Sequence, residues 1–272
     1  MNRFSYFFTA LLLLVSYQFN YAQADSSYRL IKNIKADIVD FAIDNLDNIY
    51  LVNSSNQVKK INAKGDSLAV FNDIKKFGRL TSIDASNPLR VLLYYKDFGI
   101  IAVLDRFLNI RNTIDLRKQN IFLVKTISQS FDNKIWLYDE LENKLKKIDD
   151  EGMLLLETPD FRQLFGYAAS PVKIFDQDRL VYLYDTARGV FVFDYYGNLK
   201  NKILITGWND FKVIGKYIFG LKKDTLYRYQ IEAFRYDEEI IPEYLASASK
   251  LDFSSSRIYA LQKNELLIYE VK

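Results

Sequence analysis

Residues 44–65 read DNLDNIYLVNSSNQVKKINAKG: a polar turn, the β-prone run IYLV, a polar break, the second β-prone run VKKI, and a turn closing on Gly65. The same grammar returns along the chain. Residues 132–152 read DNKIWLYDELENKLKKIDDEG, and residues 178–197 read DRLVYLYDTARGVFVFDYYG. Six copies align on the first run, centred on Ile49, Val91, Ile135, Val181, Tyr217 and Ile258, at spacings of 42, 44, 46, 36 and 41 residues. The pair Lys59 and Lys60 in VKKI recurs in register as Lys146 and Lys147 in LKKI, which argues against a chance alignment.

A unit of this length, with two clear strands and room for two more, cannot bury both faces of its own sheet. Neighbouring units must stack around an axis. The expected fold is therefore all-β: a six-bladed β-propeller of four-stranded antiparallel blades. A β-sandwich with evenly spaced strands is the competing architecture. In the first blade the expected strands are 39–43, 49–52, 58–61 and 67–71, separated by turns rich in Asn, Asp and Gly. The sixth copy supplies only three strands, at 251–253, 258–261 and 266–271, while a strand at 28–34 precedes the first blade without a partner. Placing that N-terminal strand at the outer edge of the last blade closes the ring and removes an open edge.

Residues 1–24 read as an export signal: Arg3 supplies the charge, 4–15 is an apolar stretch too short to span a bilayer comfortably, and Ala22-Gln23-Ala24 is a small-x-small site. Cleavage is expected after Ala24, with Ala22 as the variant. A retained anchor is the competing reading, and the absence of cysteine excludes a lipidated lipoprotein. The remaining 248 residues, 25–272, make a single propeller domain at about 41 residues per blade. Twenty Tyr and twenty Phe provide strand-forming material for a large core.

The net charge of +3, about +2 without Arg3, is too small for a nucleic-acid binder. Lysine doublets beginning at Lys59, Lys75, Lys146 and Lys222 fall in different blades and read as solvated strand or loop positions. With no His and no Cys, imidazole or thiolate zinc sites and Ser-His-Asp or Cys-His nucleophile systems are excluded. Stability must come from core burial and ring closure alone. Any catalysis would rest on carboxylates, Tyr, Lys or an oxygen-ligated metal; no cofactor and no metal is expected.

The first, third and fourth copies resemble the repeats of six-bladed propellers of the NHL type, approximately D-x-x-G-N-I-Y-V-x-D-x-x-N-x-R-V-x-x-F-x-x-x-G. Asn48, Ile49, Tyr50, Asn56, Val58, Ile61 and Gly65 fit this pattern, Asp47 takes the place of the Gly, and the family's histidine is missing. The resemblance covers most of the mature chain and implies a scaffold, which does not fix function.

Motifs that would carry chemistry are sparse. Ser130, Asp132 and Trp136 partly match a sialidase Asp box, but Lys134 replaces its Gly; a polar turn feeding a strand whose Trp136 packs between blades is favoured. Asp176 and Asp178, and Asp149, Asp150 and Glu151, lack the ligand ladder of a calcium loop and read as surface turns. In the pairs Tyr94, Tyr95 and Tyr195, Tyr196, strand alternation places one ring inside and one outside.

In a propeller the loops between second and third strands and the connectors between blades share one face, where partners commonly dock. On that face fall Lys75, Lys76, Phe77, Phe98, Phe161, Arg162, Phe165, Tyr167, Arg188 and Trp208, an aromatic-plus-Arg composition typical of interface anchors. The competing reading is that these aromatics seal the gaps between blades. Thr158 is placed to cap a short helix in the connector 158–171, with Pro159 in its first turn.

The expected function is that of an exported, non-enzymatic, protein-binding propeller acting as a periplasmic subunit of an outer-membrane assembly. The NYAQA ending of the signal and the Lys, Asn, Ile and Tyr bias are similar to those of exported Bacteroidota proteins. The chain is similar in size and type to the propeller-like components of the type 9 secretion machinery, including the plug of the translocon. That resemblance implies a role in closing a protein-secretion pore, with a protein partner, no nucleic acid and no direct membrane span. The alternative is a carbohydrate-binding or carbohydrate-active propeller.

Overall fold

The computed structural model describes residues 27–72 and 74–272, the side chains of residues 74 and 75 falling outside that description. The expected signal, 1–24, and its cleavage site lie outside the described residues. The described chain forms six four-stranded sheets, every pair of neighbouring strands antiparallel. The strand β1 (Tyr28–Lys35) comes first. Blade 1 is β2 (Asp40–Ile43), β3 (Ile49–Val52), β4 (Val58–Ile61) and β5 (Ser67–Phe71). Blade 2 is β6 (Ser82–Asn87), β7 (Arg90–Tyr95), β8 (Ile100–Asp105) and β9 (Ile110–Asp115). Blade 3 is β10 (Val124–Gln129), β11 (Ile135–Asp139), β12 (Lys144–Ile148) and β13 (Leu154–Glu157). Blade 4 is β14 (Lys173–Gln177), β15 (Leu180–Asp185), β16 (Gly189–Asp194) and β17 (Leu199–Ile203). Blade 5 is β18 (Asn209–Ile214), β19 (Tyr217–Lys222), β20 (Thr225–Gln230) and β21 (Arg235–Ile240), and blade 6 is β22 (Lys250–Phe253), β23 (Arg257–Gln262) and β24 (Glu265–Val271) completed by β1. Short helices α1 (Ile74–Phe77), α2 (Phe161–Phe165) and α3 (Glu243–Ala246) interrupt three connectors.

The six innermost strands β2, β6, β10, β14, β18 and β22 adjoin one another in a closed cycle, which is the axis of a propeller and not the two facing layers of a sandwich. The apolar core is correspondingly divided into six clusters, each drawn from two adjacent blades. The second and third strands of a blade lie between neighbours on both faces, so they read as continuous apolar runs such as RVLLYY and LVYLYD, not as alternation. This corrects two expectations. Tyr94 and Tyr95 are both buried, whereas alternation would have exposed one. The lysine doublets are not uniformly solvated either: Lys60, Lys146 and Lys147 are buried.

Each of those lysines finds a partner that keeps its ammonium inside. Lys60 spans to the next blade and donates to the Pro88 and Arg106 carbonyls at 3.4 and 3.3 Å, and burial lowers its pKa. Lys146 pairs with Asp139 at 2.8 Å, and Lys147 with Asp132 at 2.7 Å while lying 4.9 Å over the Trp136 ring. Lys59, Lys222 and Lys223 are exposed as expected.

The turns are built by their first Asp. Asp44 accepts from the Leu46 and Asn48 N–H groups at 2.9 Å and from the Tyr50 hydroxyl at 3.0 Å. Asp105, Asp149 and Asp194 repeat the backbone part of this device in the turns between third and fourth strands. Where Gly152 and Gly197 supply the left-handed residue of that turn, blade 2 uses Leu108 at φ 62°, held there by burial in the core between blades 1 and 2.

Closure follows the expected route. β1 pairs with β24 from Tyr28 opposite Val271 to Lys35 opposite Glu265, and the Lys272 N–H donates to the Ser27 carbonyl at 2.9 Å. A side-chain fastening supports it from blade 6 to blade 1: Arg257 and the Tyr259 hydroxyl both donate to Asp47, at 3.0 and 3.1 Å.

Candidate functional site

The topology gives the disc two unlike faces. One carries the connectors and the loops between second and third strands, and it contains all ten residues selected from the sequence. The structure divides them by depth. Phe77, Phe161 and Trp208 are buried, so their rings face blade interfaces and not solvent. Phe161 sits 5.2–5.4 Å from the rings of Tyr138, Phe165, Phe191 and Phe193. Trp208 stacks on Tyr227 at 5.1 Å and lies against Gly220, where an added Cβ would stand 2.6 Å from the indole.

Phe165 and Tyr167 are half-buried and stack on one another; Arg188 covers the Tyr167 ring at 4.2 Å and Lys202 donates to its hydroxyl at 2.5 Å. These four selected positions, Phe161, Phe165, Tyr167 and Arg188, are therefore brought together over the seam between blades 3 and 4. Arg162 is exposed and grips Asp160 with Nε and Nη2. That Asp160, not Thr158, caps α2: its carboxylate accepts the Arg162 N–H at 2.8 Å, while Thr158 is buried and its hydroxyl accepts the Leu145 N–H at 3.1 Å. Thr158 still pairs with blade 3, two residues too early to cap the helix. Across the disc, Lys76 lies over the Phe77 ring at 5.2 Å, and Phe98, half exposed, rests on Gly78. The Lys75 side chain is outside the description.

The opposite face carries the Asp-box-like residues, which prove to be a fastening between blades. Asp176 on β14 accepts from Ser130 Oγ at 2.8 Å, Trp136 Nε1 at 2.9 Å and the Tyr195 hydroxyl at 2.6 Å. Burial, then the hydrogen bond to Asp176, raises the Tyr195 phenol. Beside it a cleft of about 660 Å³ is lined by Phe131, Asp176, Gln177, Asp178, Arg179 and Tyr195, with Phe131 and Tyr195 stacked 4.6 Å apart. Asp149 caps its own turn, and Asp150 pairs with Arg90 at 2.5 Å.

Around the axis the inner strands contribute charges in place of apolar residues. Lys250 pairs with Asp40 at 2.6 Å, Lys212 pairs with Asp252, and Asp84 accepts the Gln129 N–H at 2.7 Å; each bond crosses from one blade to the next. Lys173 has water access yet is surrounded by protein, and this desolvation, with Lys250 nearby, lowers its pKa against the pull of Asp252, Asp40 and Asp84. Asp210 sits at φ 50° in the irregularity between Asn209 and Lys212 on β18, and burial pushes its carboxyl up to about 6 against the Leu251 N–H that it accepts. Among the described residues no group of three or more metal-ligating side chains is gathered.

The axial charges are not legible as a set in the sequence, because they are scattered over five inner strands and only the ring brings them together. Arg79, Lys96, Arg117, Lys118 and Phe122, on the same face as Phe98, carried a faint signal: basic and aromatic residues in two successive connectors and the loop between β7 and β8.

Fold and faces together define the class: a six-bladed β-propeller with polar fastenings at its seams. No protein-family model and no curated protein matches the sequence. Solved structures do. The chain is similar to a streptogramin B lyase at 16% identity (TM-score 0.60, covering 85% of this chain and 78% of that one). It is also similar to virginiamycin B lyase from Staphylococcus aureus at 11% identity (TM-score 0.61, 90% and 100%). The WD40 domain of Neurospora crassa Pan2 is comparable at 9% identity (TM-score 0.62, 90% and 95%). These likenesses are of fold alone, and they join a lyase scaffold to a WD40 domain.

Proposed function

We propose that this propeller is an exported, non-enzymatic binding disc that docks onto a protein partner of the outer membrane through its connector face, in the manner of a cover on a secretion pore. One observation carries the reading: on that face Phe98, Phe122, Leu141 and Leu204 are exposed, while the buried aromatics Phe77, Phe161 and Trp208 root connectors of the same face. Rooted loops lose little conformational freedom on binding, so modest contacts spread over a broad face hold a partner reversibly. The leader-like residues 1–24 support an exported location, and the resemblance to type 9 secretion components supports the choice of partner class.

Because the chain has no cysteine, single Cys substitutions give clean crosslinking sites. A maleimide crosslinker at Phe98→Cys or Leu204→Cys is expected to join the protein to an envelope partner in intact cells, and one at Leu46→Cys on the opposite face is not. Crosslinks from Leu46 alone, or from none of the three, overturn the reading.

The second reading, a glycan-binding propeller, is favoured by the cleft with the stacked Phe131 and Tyr195 pair, since flat paired rings suit sugar faces. A glycan array in which Phe131→Ala abolishes binding would establish it.

A further inference from the structure

The connector face is not uniform, and one sector of it gathers cations from three neighbouring segments beside exposed aromatic rings. The connector after blade 1 brings Arg79. The loop between β7 and β8 brings Lys96 and Phe98, and the connector after blade 2 brings Arg117, Lys118 and Phe122. These three segments touch. The Phe98 ring lies where a Cβ on Gly78 would be 2.6 Å away, and the Lys96 N–H donates to Thr81 Oγ1 at 3.0 Å. Arg117 lies against Gly99, where a Cβ would meet its Cγ at 3.3 Å, and donates through Nη2 to the Asp97 carbonyl at 2.7 Å; the Leu116 N–H donates to the Gly99 carbonyl at 2.9 Å. The patch is thus a single surface built from blades 1 and 2.

Among the described residues, none of these four cations has a carboxylate within 4.0 Å. On the other blades many surface cations are paired, as Lys125 with Glu140, Lys144 with Glu157, Lys216 with Glu232 and Arg228 with Asp237, and those without a carboxylate partner, such as Lys200, Lys222 and Lys263, come from separate blades. The acids inside the patch are Asp97 and Asp115, and Asp115 is spent on capping, accepting the Arg117 N–H at 3.1 Å. Phe98 and Phe122 stand exposed beside the cations at 50% and 56%.

We infer that this sector docks an acidic protein segment, one carrying Asp and Glu around an apolar or aromatic residue that meets Phe98 and Phe122. Charge complementarity selects the occupant. Unpaired cations around exposed rings match a mixed acidic and apolar chain, whereas a polyanion of nucleic acid needs a long basic track that a molecule of net charge +3 does not offer. The inference rests on the docking role proposed for the connector face and names the partner's chemistry there.

Fluorescence anisotropy with the whole protein tests it. The probe is a fluorescein-labelled peptide rich in Asp and Glu and bearing Phe, with its Asn and Gln counterpart as control. The acidic peptide is expected to bind, losing about tenfold in affinity between roughly 50 and 300 mM salt, and the neutral counterpart to bind at least about tenfold more weakly. Arg79→Glu with Lys118→Glu, two exposed side chains that make no side-chain hydrogen bond among the described residues, is expected to weaken the acidic peptide by about tenfold, as a few exposed charge pairs reversed together would. Lys59→Glu with Lys64→Glu, away from the patch, is expected to leave it unchanged. Equal binding of both peptides, insensitivity to the first pair of reversals, or stronger binding to a single-stranded oligonucleotide or to phosphatidylglycerol vesicles overturns the inference. The crosslinking result is read separately: partner capture at Phe98→Cys that survives the Arg79 and Lys118 reversals leaves the docking role standing and removes this sector's charge from it.

Discussion

Substituting Asp210 by Asn isolates the electrostatic cost of the axial channel. The carboxyl is held at about 6 against an ordinary 3.8, first by burial, so the folded protein keeps this proton more tightly than the unfolded chain does. The contribution of Asp210 to native stability is then fully present below 3.8 and is lost as pH rises through 6, because ionisation is easier in the unfolded chain. At about 1.4 kcal/mol per tenfold, the gap corresponds to a ceiling of about 3 kcal/mol, and solvent screening of this half-buried carboxyl reduces it to about 1.5 kcal/mol. Asn suits the test: it tolerates the left-handed backbone at φ 50°, and its amide oxygen still accepts the Leu251 N–H. Urea unfolding followed by tryptophan fluorescence should show Asp210→Asn more stable than the parent by about 1–2 kcal/mol at about pH 8, the difference vanishing near about pH 4. A difference that does not change with pH, or a variant less stable at about pH 8, would refute the burial account.

Three further outcomes follow from the packing. Gly220→Ala places a Cβ 2.6 Å from Trp208 Cε3 and 2.9 Å from its Cβ, an overpacking of about 2 kcal/mol that should lower Tm by about 5 °C in a thermal melt; an unchanged Tm would show that the indole moves freely. Asp176→Ala removes the acceptor shared by Trp136, Ser130 and Tyr195, leaving a buried indole N–H without its partner, and should cost about 3 kcal/mol in urea unfolding. The same variant should lower the Tyr195 phenol, read by alkaline absorbance titration, since Asp176 is one cause of its elevation. Deleting residues 27–35 strips the outer strand from β24 and should lower Tm by roughly 10 °C or promote association through the bared edge, measured by light scattering.

The fold was largely legible because blade repetition is local: Asp-led turns and apolar runs such as IYLV and VYLY mark second strands wherever they occur, and β3, β4 and β5 begin and end where the pattern places them. The closing strand was legible for the same reason, as an unpartnered run at one end and a missing strand at the other. What failed was depth. Lys60, Lys146 and Lys147 read as solvated because a charge in a strand is normally turned outward; here Lys60 reaches carbonyls of the next blade, while Lys146 and Lys147 meet Asp139, Asp132 and the Trp136 ring within their own blade. The pair Tyr94 and Tyr95 was misjudged because a strand flanked by two blades has no outside. Of the ten residues expected to dock a partner, the strand order puts all on the connector face, but the sequence could not tell Phe161, sunk among four rings, from Phe98, which meets water. The axial charges needed the ring itself.

The pairing of β1 with β24 also sets the timing of the protein's life. The strand made first waits for the strand made last, so no amount of early synthesis completes the ring, and the sheets formed meanwhile keep one unsealed seam. Among the described residues the disc therefore becomes one stiff object only when its final hairpin forms and β24 meets β1.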